Sequence, residues 1–234
     1  MRPSRSACSI LVPALIMIAM AALFTGCGKA TVRPLATDPG FTMALLRQDS
    51  AALNVSEHVQ VNEFNKPFDE FFGSGSALAA RLSARLLDSL NHGTPSLSVR
   101  SSTPAVAALW PKDSAAAGTA EDLETAWQDQ APKFILRIHN LTVGNHREAI
   151  PATMIPSGPQ GGMAPATGGE NVACMVTFDV EVWEKMNEDG LAGLTRRAAF
   201  TVTGKANVVL FANKMALEEA ISAAVRGTLA QLRQ

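Results

Sequence analysis

The sequence predicts an α/β (α+β) fold: a two-layer sandwich with a mixed sheet of about five strands and two main amphipathic helices on one face. Leucines recur every four residues from Leu78 to Leu90, and a second amphipathic pattern ends the chain. Between them lie long runs that alternate apolar and polar residues, which is typical of half-buried strands. The apolar face of the sheet is the surface on which both helices can bury their stripes.

Five segments alternate in the manner of strands: residues 58–64, 97–101, 133–143, 171–185 and 200–210. The turn-forming residues 187–190 join the last two, which are therefore predicted to form an antiparallel hairpin. In this hairpin Phe178 and Val180 are expected to face the helices. Asp179 and Glu181 are expected to face water, so Glu181→Ala is predicted to be nearly silent.

The helices are predicted at residues 76–91 and from Asn213 onward. The first helix separates two strands, and such a β-α-β unit implies parallel strands with a right-handed crossover. Because the later hairpin is antiparallel, the sheet is predicted to be mixed. Residues 102–118 are predicted as a loop with a helical turn, and a short helix is predicted from Thr119.

The N-terminus has the pattern of a secretory signal peptide. Arg2 and Arg5 precede an apolar run over residues 10–24, and small residues follow it. As a helix this run reaches roughly 22 Å, short of the ~30 Å hydrocarbon core, so a permanent membrane span is the weaker interpretation. Residues 1–26 are therefore predicted to be removed.

The motif Phe24-Thr25-Gly26-Cys27 resembles the bacterial lipobox, although leucine is commoner where Phe24 stands. The resemblance implies that the Cys27 thiol is acylated and anchors the chain to a membrane. Gly28 in place of aspartate implies the outer membrane and its periplasmic face. Residues 27–56 are expected to be a lipid-anchored tether, and residues 57–234 a single periplasmic domain. The alternative is an ordinary secretory signal.

Cysteine usage predicts no intrachain disulfide. Cys8 leaves with the signal and Cys27 takes the lipid, so Cys174 has no partner. Cys174 lies among the apolar positions of an alternating run, which predicts a buried and unreactive thiol.

Residues 59–65, 76–90 and 97–100 together resemble a recurring periplasmic unit. It is similar to the TolB amino-terminal domain, CsgG and LpoB, and LptE has a related build. The resemblance implies a non-catalytic binding or scaffolding component of cell-envelope assembly, transport or secretion, with an envelope protein as partner. It implies no role for a particular residue. The alternative is a periplasmic enzyme with an unrecognised active site.

No motif assembles a catalytic, metal or cofactor site. The histidines are His58, His92, His139 and His146. His139 and His146 are seven residues apart with no acid or cysteine at metal-ligand spacing, whereas a zinc site would want three or four such ligands. Residues 73–75 lack the remainder of a serine-hydrolase elbow or a P-loop. With a formal net charge of −1, nothing suggests a nucleic-acid partner, which would favour a clustered basic face. We expect no enzyme, cofactor, metal or nucleic-acid partner, and the sequence leaves the oligomeric state open.

Phe68, Phe71 and Phe72 belong to a phenylalanine-rich turn. They either fold over the end of the helix layer or form an exposed patch for a partner.

Residues 149–171 form a long segment rich in proline and glycine, with Met154, Ile155 and Met163 as its apolar candidates for partner binding. Its composition predicts neither a helix nor a strand ladder. It is expected either to become ordered on a partner or to be an idle insertion.

Overall fold

The structure is a computed structural model. It describes residues 28–62, 64, 68, 70, 73–92, 97–110, 121, 132–150, 154–157, 162–165, 169–188, 191–208 and 213–234.

Nine strands, three α-helices and a 3₁₀ helix occupy these ranges. The strands are β1 (Lys29–Thr37), β2 (Ser50–Val55), β3 (Val59–Asn62), β4 (Ser98–Ser101), β5 (Phe134–Ile150), β6 (Met154–Ser157), β7 (Gly162–Pro165), β8 (Gly169–Glu188) and β9 (Leu191–Asn207). The helices are α1 (Gly75–His92), α2 (Pro104–Ala108) and α3 (Asn213–Leu232), with the 3₁₀ helix at Met43–Arg47.

The main sheet is open and has seven strands in the order β1-β9-β8-β5-β2-β4, with β3 also paired to β5. Strand β2 lies beside the start of β5, with Ala51 opposite Phe134, and β3 lies farther along it, with Val59 opposite Leu141. β2, β3 and β4 run parallel to their partners, whereas β1, β5, β8 and β9 pair antiparallel with one another. The predicted mixed α/β architecture is confirmed, with seven strands instead of about five.

The expectation that residues 27–56 form a tether is wrong for residues 29–55. β1 pairs with β9 from Lys29 opposite Lys205 to Thr37 opposite Ala198. β2 lies inside the sheet between β5 and β4. Neither strand alternates clearly, because β1 is almost entirely exposed and β2 carries buried residues on both faces.

In the predicted β-α-β unit, the strand before α1 and the strand after it were expected to pair in parallel, but they do not pair with each other. After α1 the chain enters β4, which pairs in parallel with β2 and not with β3. β3 is displaced along β5, so the two strands that flank α1 are not neighbours. The short helix predicted from Thr119 lies outside the described residues, apart from Glu121, which is helical.

Both long helices bury their apolar stripes against one face of the sheet in a single core. The buried residues of α1 include Leu78, Leu82, Leu86 and Leu90, and those of α3 include Leu217, Ile221, Val225 and Leu232. At the sheet they meet Phe178 and Val180, as the predicted hairpin register requires. Arg81 and Arg85 of α1 both form ion pairs with Glu218 of α3, which joins the two helices at the surface.

The opposite face of the sheet, expected to face solvent, is covered in part. Val106 of α2, with Leu109 and Trp110 after it, packs over Ala52 and Ile135 in a second small apolar cluster. These buried side chains form a partial third layer over the middle of the sheet.

Strands β5 and β8 continue as a pair beyond the rest of the main sheet. β5 and β8 remain paired to Ile150 opposite Gly169. β6 and β7 form a separate two-stranded sheet, with Met154 opposite Pro165; we call the paired ends of β5 and β8 together with β6 and β7 the ribbon. The prediction that this segment holds no ladder is therefore wrong. A two-stranded ribbon leaves the outer edge of each strand free, and proline is tolerated at such an edge.

Gly204 sets how closely α3 approaches the sheet. A Cβ atom at this position would lie 2.0 Å from the carbonyl oxygen of Ala220 and 2.7 Å from the amide nitrogen of Ala224. Backbone atoms cannot turn aside as a flexible side chain can. The helix axis would therefore have to move to make room for any other residue.

We predict that Gly204→Ala lowers the free energy of unfolding by about 1–3 kcal/mol, the usual cost of overpacking a core. The matched control is Gly193→Ala, where an added Cβ meets no atom within 4 Å. Urea unfolding followed by circular dichroism measures both. Equal midpoints for the two variants would contradict the close approach of α3.

Candidate functional site

The residues predicted to bind a partner fall into three groups. Cys27, Phe71 and Phe72 lie outside the described residues. Phe68 is buried in the main core, with its ring centroid 5.7 Å from that of Phe64. A buried Phe68 presents no surface to a partner, and for Phe71 and Phe72 both interpretations of the phenylalanine-rich turn stay predictions.

Met154, Ile155 and Met163 belong to the ribbon. Met154 and Ile155 lie on β6, and Met163 lies on β7 opposite Pro156. The phenylalanine-rich turn follows β3, which runs parallel to β5 and ends beside Gly144. The turn and the ribbon therefore both leave the sheet at the same end.

Gly28, the first described residue, is held against α3. Its amide N–H donates to Glu219 Oε2 at 3.2 Å, and its carbonyl oxygen accepts from Arg226 Nη2 at 3.2 Å. A Cβ atom at Gly28 would lie 2.9 Å from the carbonyl oxygen of Glu219 and 3.2 Å from Ala223 Cβ. The position therefore suits glycine, and the backbone is fixed here before β1 begins.

One row of residues defines the end of the sheet at which Gly28 lies. Lys29 is opposite Lys205, Lys205 is opposite Met175, and Met175 is opposite Gly144. Gly28 lies beyond this row on the side where β9 ends and where β5 and β8 continue as the ribbon. We call this side the Gly28 end.

A cluster of charged and aromatic side chains occupies the face of the sheet opposite the main helices. Glu181, only 4% exposed, lies at its centre. Its carboxylate accepts hydrogen bonds from Arg137 at 3.2 Å, Arg196 at 3.0 Å and Trp183 Nε1 at 3.0 Å. His139 Nε2 lies 3.4 Å away from Glu181 Oε2, without the alignment of a hydrogen bond. We call these five residues the Glu181 cluster.

Trp110 covers the cluster. The guanidinium carbon of Arg137 lies 5.2 Å from the Trp110 ring centroid, within the range of a cation–π contact. The rings of Trp110 and Trp183 are 5.7 Å apart and inclined at 58°, a tilted aromatic pair. Arg137 is thus enclosed between a carboxylate and an indole.

The electrostatics of the Glu181 cluster keep its carboxylate ionised. Burial alone would raise the pKa of Glu181, but contacts with His139, Trp183 and Arg196 outweigh it and lower the pKa to about 2. Burial lowers the pKa of Arg137, while the charge and hydrogen bond of Glu181 oppose that effect. A carboxylate so fully engaged is a poor proton donor or acceptor near neutral pH, so the cluster is suited to holding strands together.

Burial also shifts the pKa of two groups outside the Glu181 cluster, the Cys174 thiol and the Lys185 amine. Burial raises the pKa of the Cys174 thiol to about 12, and this cysteine is buried, as predicted. A thiol with such a pKa is a weak nucleophile. Burial and the nearby charge of Arg100 lower the pKa of Lys185 to about 8.

Within the described ranges no group of three or more His, Cys, Asp or Glu residues is placed to hold a metal ion. Over the same ranges, none of the helices combines the length and apolar character needed to cross a membrane.

Glu181 lies on the face of the sheet away from the main helices, as predicted, but it is buried and not exposed to water. The signal was the placement of charge inside strands: Arg137 and His139 alternate with the apolar residues of β5, as Glu181 and Trp183 do in β8. Opposite charges directly across two strands stabilise their pairing. The cover supplied by Trp110 came from a segment predicted as a loop.

The described residues define the chain as an open mixed α/β sandwich with a long ribbon. No protein-family model and no curated protein sequence matches it. It is similar to a solved structure, a dodecamer of a PelC variant from Paraburkholderia phytofirmans, with 15% identity and a TM-score of 0.37, over 87% of this chain and 97% of that chain. A likeness this weak is no basis for an argument about fold or function.

Proposed function

We propose that the chain is a membrane-anchored lipoprotein of the outer membrane, facing the periplasm, and a non-catalytic binding or scaffolding component of the cell envelope. In this proposal a lipid on Cys27 holds the chain to the membrane and an envelope protein is the partner. Cell-envelope assembly, transport and secretion are the processes that the sequence resemblances favour.

The observation that carries the proposal is the junction between the lipobox-like motif and the folded domain. The motif ends at Cys27, and Gly28 is already fixed to Glu219 and Arg226 of α3. Consecutive Cα atoms are about 3.8 Å apart, so a lipid on Cys27 would start within one residue of the domain surface. The domain would then be held on the membrane surface instead of hanging from a tether.

Two buried titratable groups, Glu181 and Cys174, give the enzyme alternative little support. Glu181 is ionised and engaged with Arg137, Arg196 and Trp183, and the Cys174 thiol has a pKa of about 12. General acid–base or nucleophilic catalysis needs a group whose pKa is matched to the working pH and that can reach a substrate. A binding role agrees better with these properties.

We predict that Cys27→Ser abolishes incorporation of radioactive palmitate and releases the protein from the membrane fraction or leaves it unprocessed at a higher mass. A hydroxyl cannot replace the thiol that accepts the diacylglyceryl group. Acyl labelling, membrane fractionation and intact mass measure the effect. Cys174→Ala is the matched control and should still be labelled and sediment with membranes. Retention of Cys27→Ser on membranes at unchanged mass would rule the anchor out.

A further inference from the structure

The two edges of the open sheet differ in how their backbone groups are used. At one edge, β4 is closed by a side chain of α1: Asn91 Nδ2 donates to the carbonyl oxygen of Val99 at 2.8 Å, and the Val99 amide donates to Asn91 Oδ1 at 2.9 Å. At the other edge, β1 pairs with β9 on one side, and within the described ranges no strand pairs with its other side. Such an edge presents a row of N–H and C=O groups to which another extended chain can bind.

Residues 29–33 are the part of this edge that can accept a strand. Pro34 has no N–H group, and the pairing register with β9 shifts between Pro34 and Ala36. Proline and bulges both end a regular edge in natural sheets. Over residues 29–33 the pairing with β9 is regular, and every side chain except that of Val32 is exposed. We call residues 29–33 the β1 edge.

A groove beside the β1 edge suits small apolar side chains. It has a volume of about 340 Å³ and lies between β1 and the last turns of α3, where Ala30, Val32, Gly227 and Ala230 form its apolar wall. The helix approaches β1 closely here, because a Cβ atom at Gly227 would lie 2.9 Å from Ala30 Cβ. A strand added to β1 would place every second side chain on this side of the sheet, since successive side chains of a strand point to opposite faces.

The other face of the β1 edge is basic. Because the residues that line the groove face α3, Lys29 and Arg33 lie by alternation on the opposite face. Lys29 is directly opposite Lys205 of β9, and like charges so placed repel. Lys205 is compensated by Glu148 at 2.9 Å, whereas among the described residues Lys29 and Arg33 have no ion-pair partner.

Two acids on neighbouring elements are already engaged elsewhere. Glu219 of α3 accepts a hydrogen bond from the Gly28 amide. Asp179 of β8 accepts from Thr201 Oγ1 at 2.6 Å and from Asn140 Nδ2 at 2.9 Å. The positive charge of the β1 edge is therefore open to compensation by a group from outside the chain.

The spacing of the basic residues defines what such a group must look like. Lys29 and Arg33 are four residues apart, which is about 13 Å along a strand. Arg226, at the rim of the groove, adds a third positive charge. A complementary strand carries acids four residues apart on one face and apolar side chains on the other, because opposite charges across two strands stabilise their pairing.

A second copy of the chain fits this edge poorly. Antiparallel pairing of the β1 edge with the same residues of another copy sets each Lys29 opposite an Arg33, and parallel pairing in register sets each lysine beside a lysine. Like charges directly opposite each other are destabilising. The charges therefore favour a different, acidic partner.

We propose that the β1 edge binds an extended acidic segment of a protein partner by strand addition, with acids beside Lys29 and Arg33 and apolar side chains in the groove beside α3. In this mode main-chain hydrogen bonds give affinity and alternate side chains give specificity. The inference rests on the binding role proposed above, to which it gives a surface and a partner chemistry, and it does not depend on the lipid anchor.

The test uses full-length protein in detergent micelles and three fluorescein-labelled peptides, each nine residues long like β1. The first peptide alternates Glu and Val, the second alternates Lys and Val, and the third is the Glu/Val peptide with its backbone nitrogens methylated. Fluorescence anisotropy should show roughly ten-fold or tighter binding of the Glu/Val peptide than of the Lys/Val peptide. The methylated peptide should not bind, and the Glu/Val peptide should slow hydrogen exchange at residues 29–33.

A charge reversal tests the assigned residues. Lys29→Glu combined with Arg33→Glu should reverse the preference between the Glu/Val and Lys/Val peptides. The matched control is Arg47→Glu combined with Lys214→Glu, which changes the net charge equally at exposed sites outside the β1 edge and should keep the parent's preference. Because all four side chains are exposed, both double variants should melt close to the parent.

Three results would overturn the inference: equal binding of the Glu/Val and Lys/Val peptides, binding without slower exchange at residues 29–33, or an unchanged preference in the Lys29 and Arg33 double variant. Light scattering that shows a dimer with residues 29–33 protected before peptide is added would mean that a second copy occupies the edge, which also overturns it. None of these outcomes affects the proposed anchor, which is tested separately by acyl labelling of Cys27.

Discussion

Val180→Asp is expected to leave the protein unfolded at ambient temperature. Val180 is 1% exposed, between Ile138 on β5 and Phe200 on β9, and it faces the helices. The described residues of this core are apolar, so a carboxylate here would be buried without a partner at a cost of several kcal/mol. Domains are stable by only about 5–15 kcal/mol, and the lost packing of the valine adds to the cost.

Far-ultraviolet circular dichroism and a thermal melt of the purified variant measure the result. The matched control is Val61→Asp, which places the same residue in a strand at an exposed site and should stay within about 0.5 kcal/mol of the parent. A cooperative melt of Val180→Asp close to that of the control would mean that the register of β8 is wrong.

Glu181→Ala is expected to cost about 3–5 kcal/mol of unfolding free energy, because it removes the anion that compensates buried Arg137. The expectation from sequence of a nearly silent change is therefore corrected. In a domain of this size the melting temperature should fall by about 2–4 °C for each kcal/mol. The control is Glu170→Ala, whose partner Arg147 is exposed, and it should change stability by less than about 0.5 kcal/mol.

A double variant separates the effect of lost charge compensation from the effect of lost packing. Replacing the pair together, as Arg137→Met with Glu181→Leu, should recover much of the stability lost in Glu181→Ala, because the buried guanidinium is then removed together with its anion. If the double variant is as unstable as the single one, the charge argument fails.

The stability that Glu181 contributes should decrease as the pH is lowered. The pKa of Glu181 is lowered from 4.5 to about 2 in the folded protein, so its contribution is complete above about pH 5 and is lost as the pH falls toward 2. Glu181→Gln should lack this part of the acid dependence. Parallel stability curves of parent and Glu181→Gln between pH 5 and 2 would contradict the assignment.

Elements with a clear hydrophobic period were predictable from sequence. The leucine stripe of α1 and the alternation of β8 each bury one face and leave the other polar, so the pattern reports which side meets the core. The hairpin of β8 and β9 and the placement of Phe178 and Val180 followed from that pattern.

Elements without a period were missed for physical reasons. β1 is an exposed edge strand and β2 is buried on both faces, so neither alternates and the sequence pattern predicts a tether over both. The pairing of β6 with β7 is not predicted by composition, because proline cannot donate a backbone hydrogen bond to a neighbouring strand. Proline is nevertheless tolerated where its nitrogen faces the free edge of a strand. The Glu181 cluster needed three strands and Trp110 to come together, and single-strand patterns carry no information on such contacts.

The pairing of β1 has a consequence for the order in which the protein can be completed during synthesis. Its partners lie far along the chain: β9 supplies the strand, and α3 supplies Glu219 and Arg226 for Gly28. A chain made from its N-terminus therefore carries β1 unpaired until β9 and α3 have been made. Throughout that interval the segment that follows Cys27 lacks the strand and the helix that hold it in the folded protein, so the lipobox-like motif is not yet beside a folded surface.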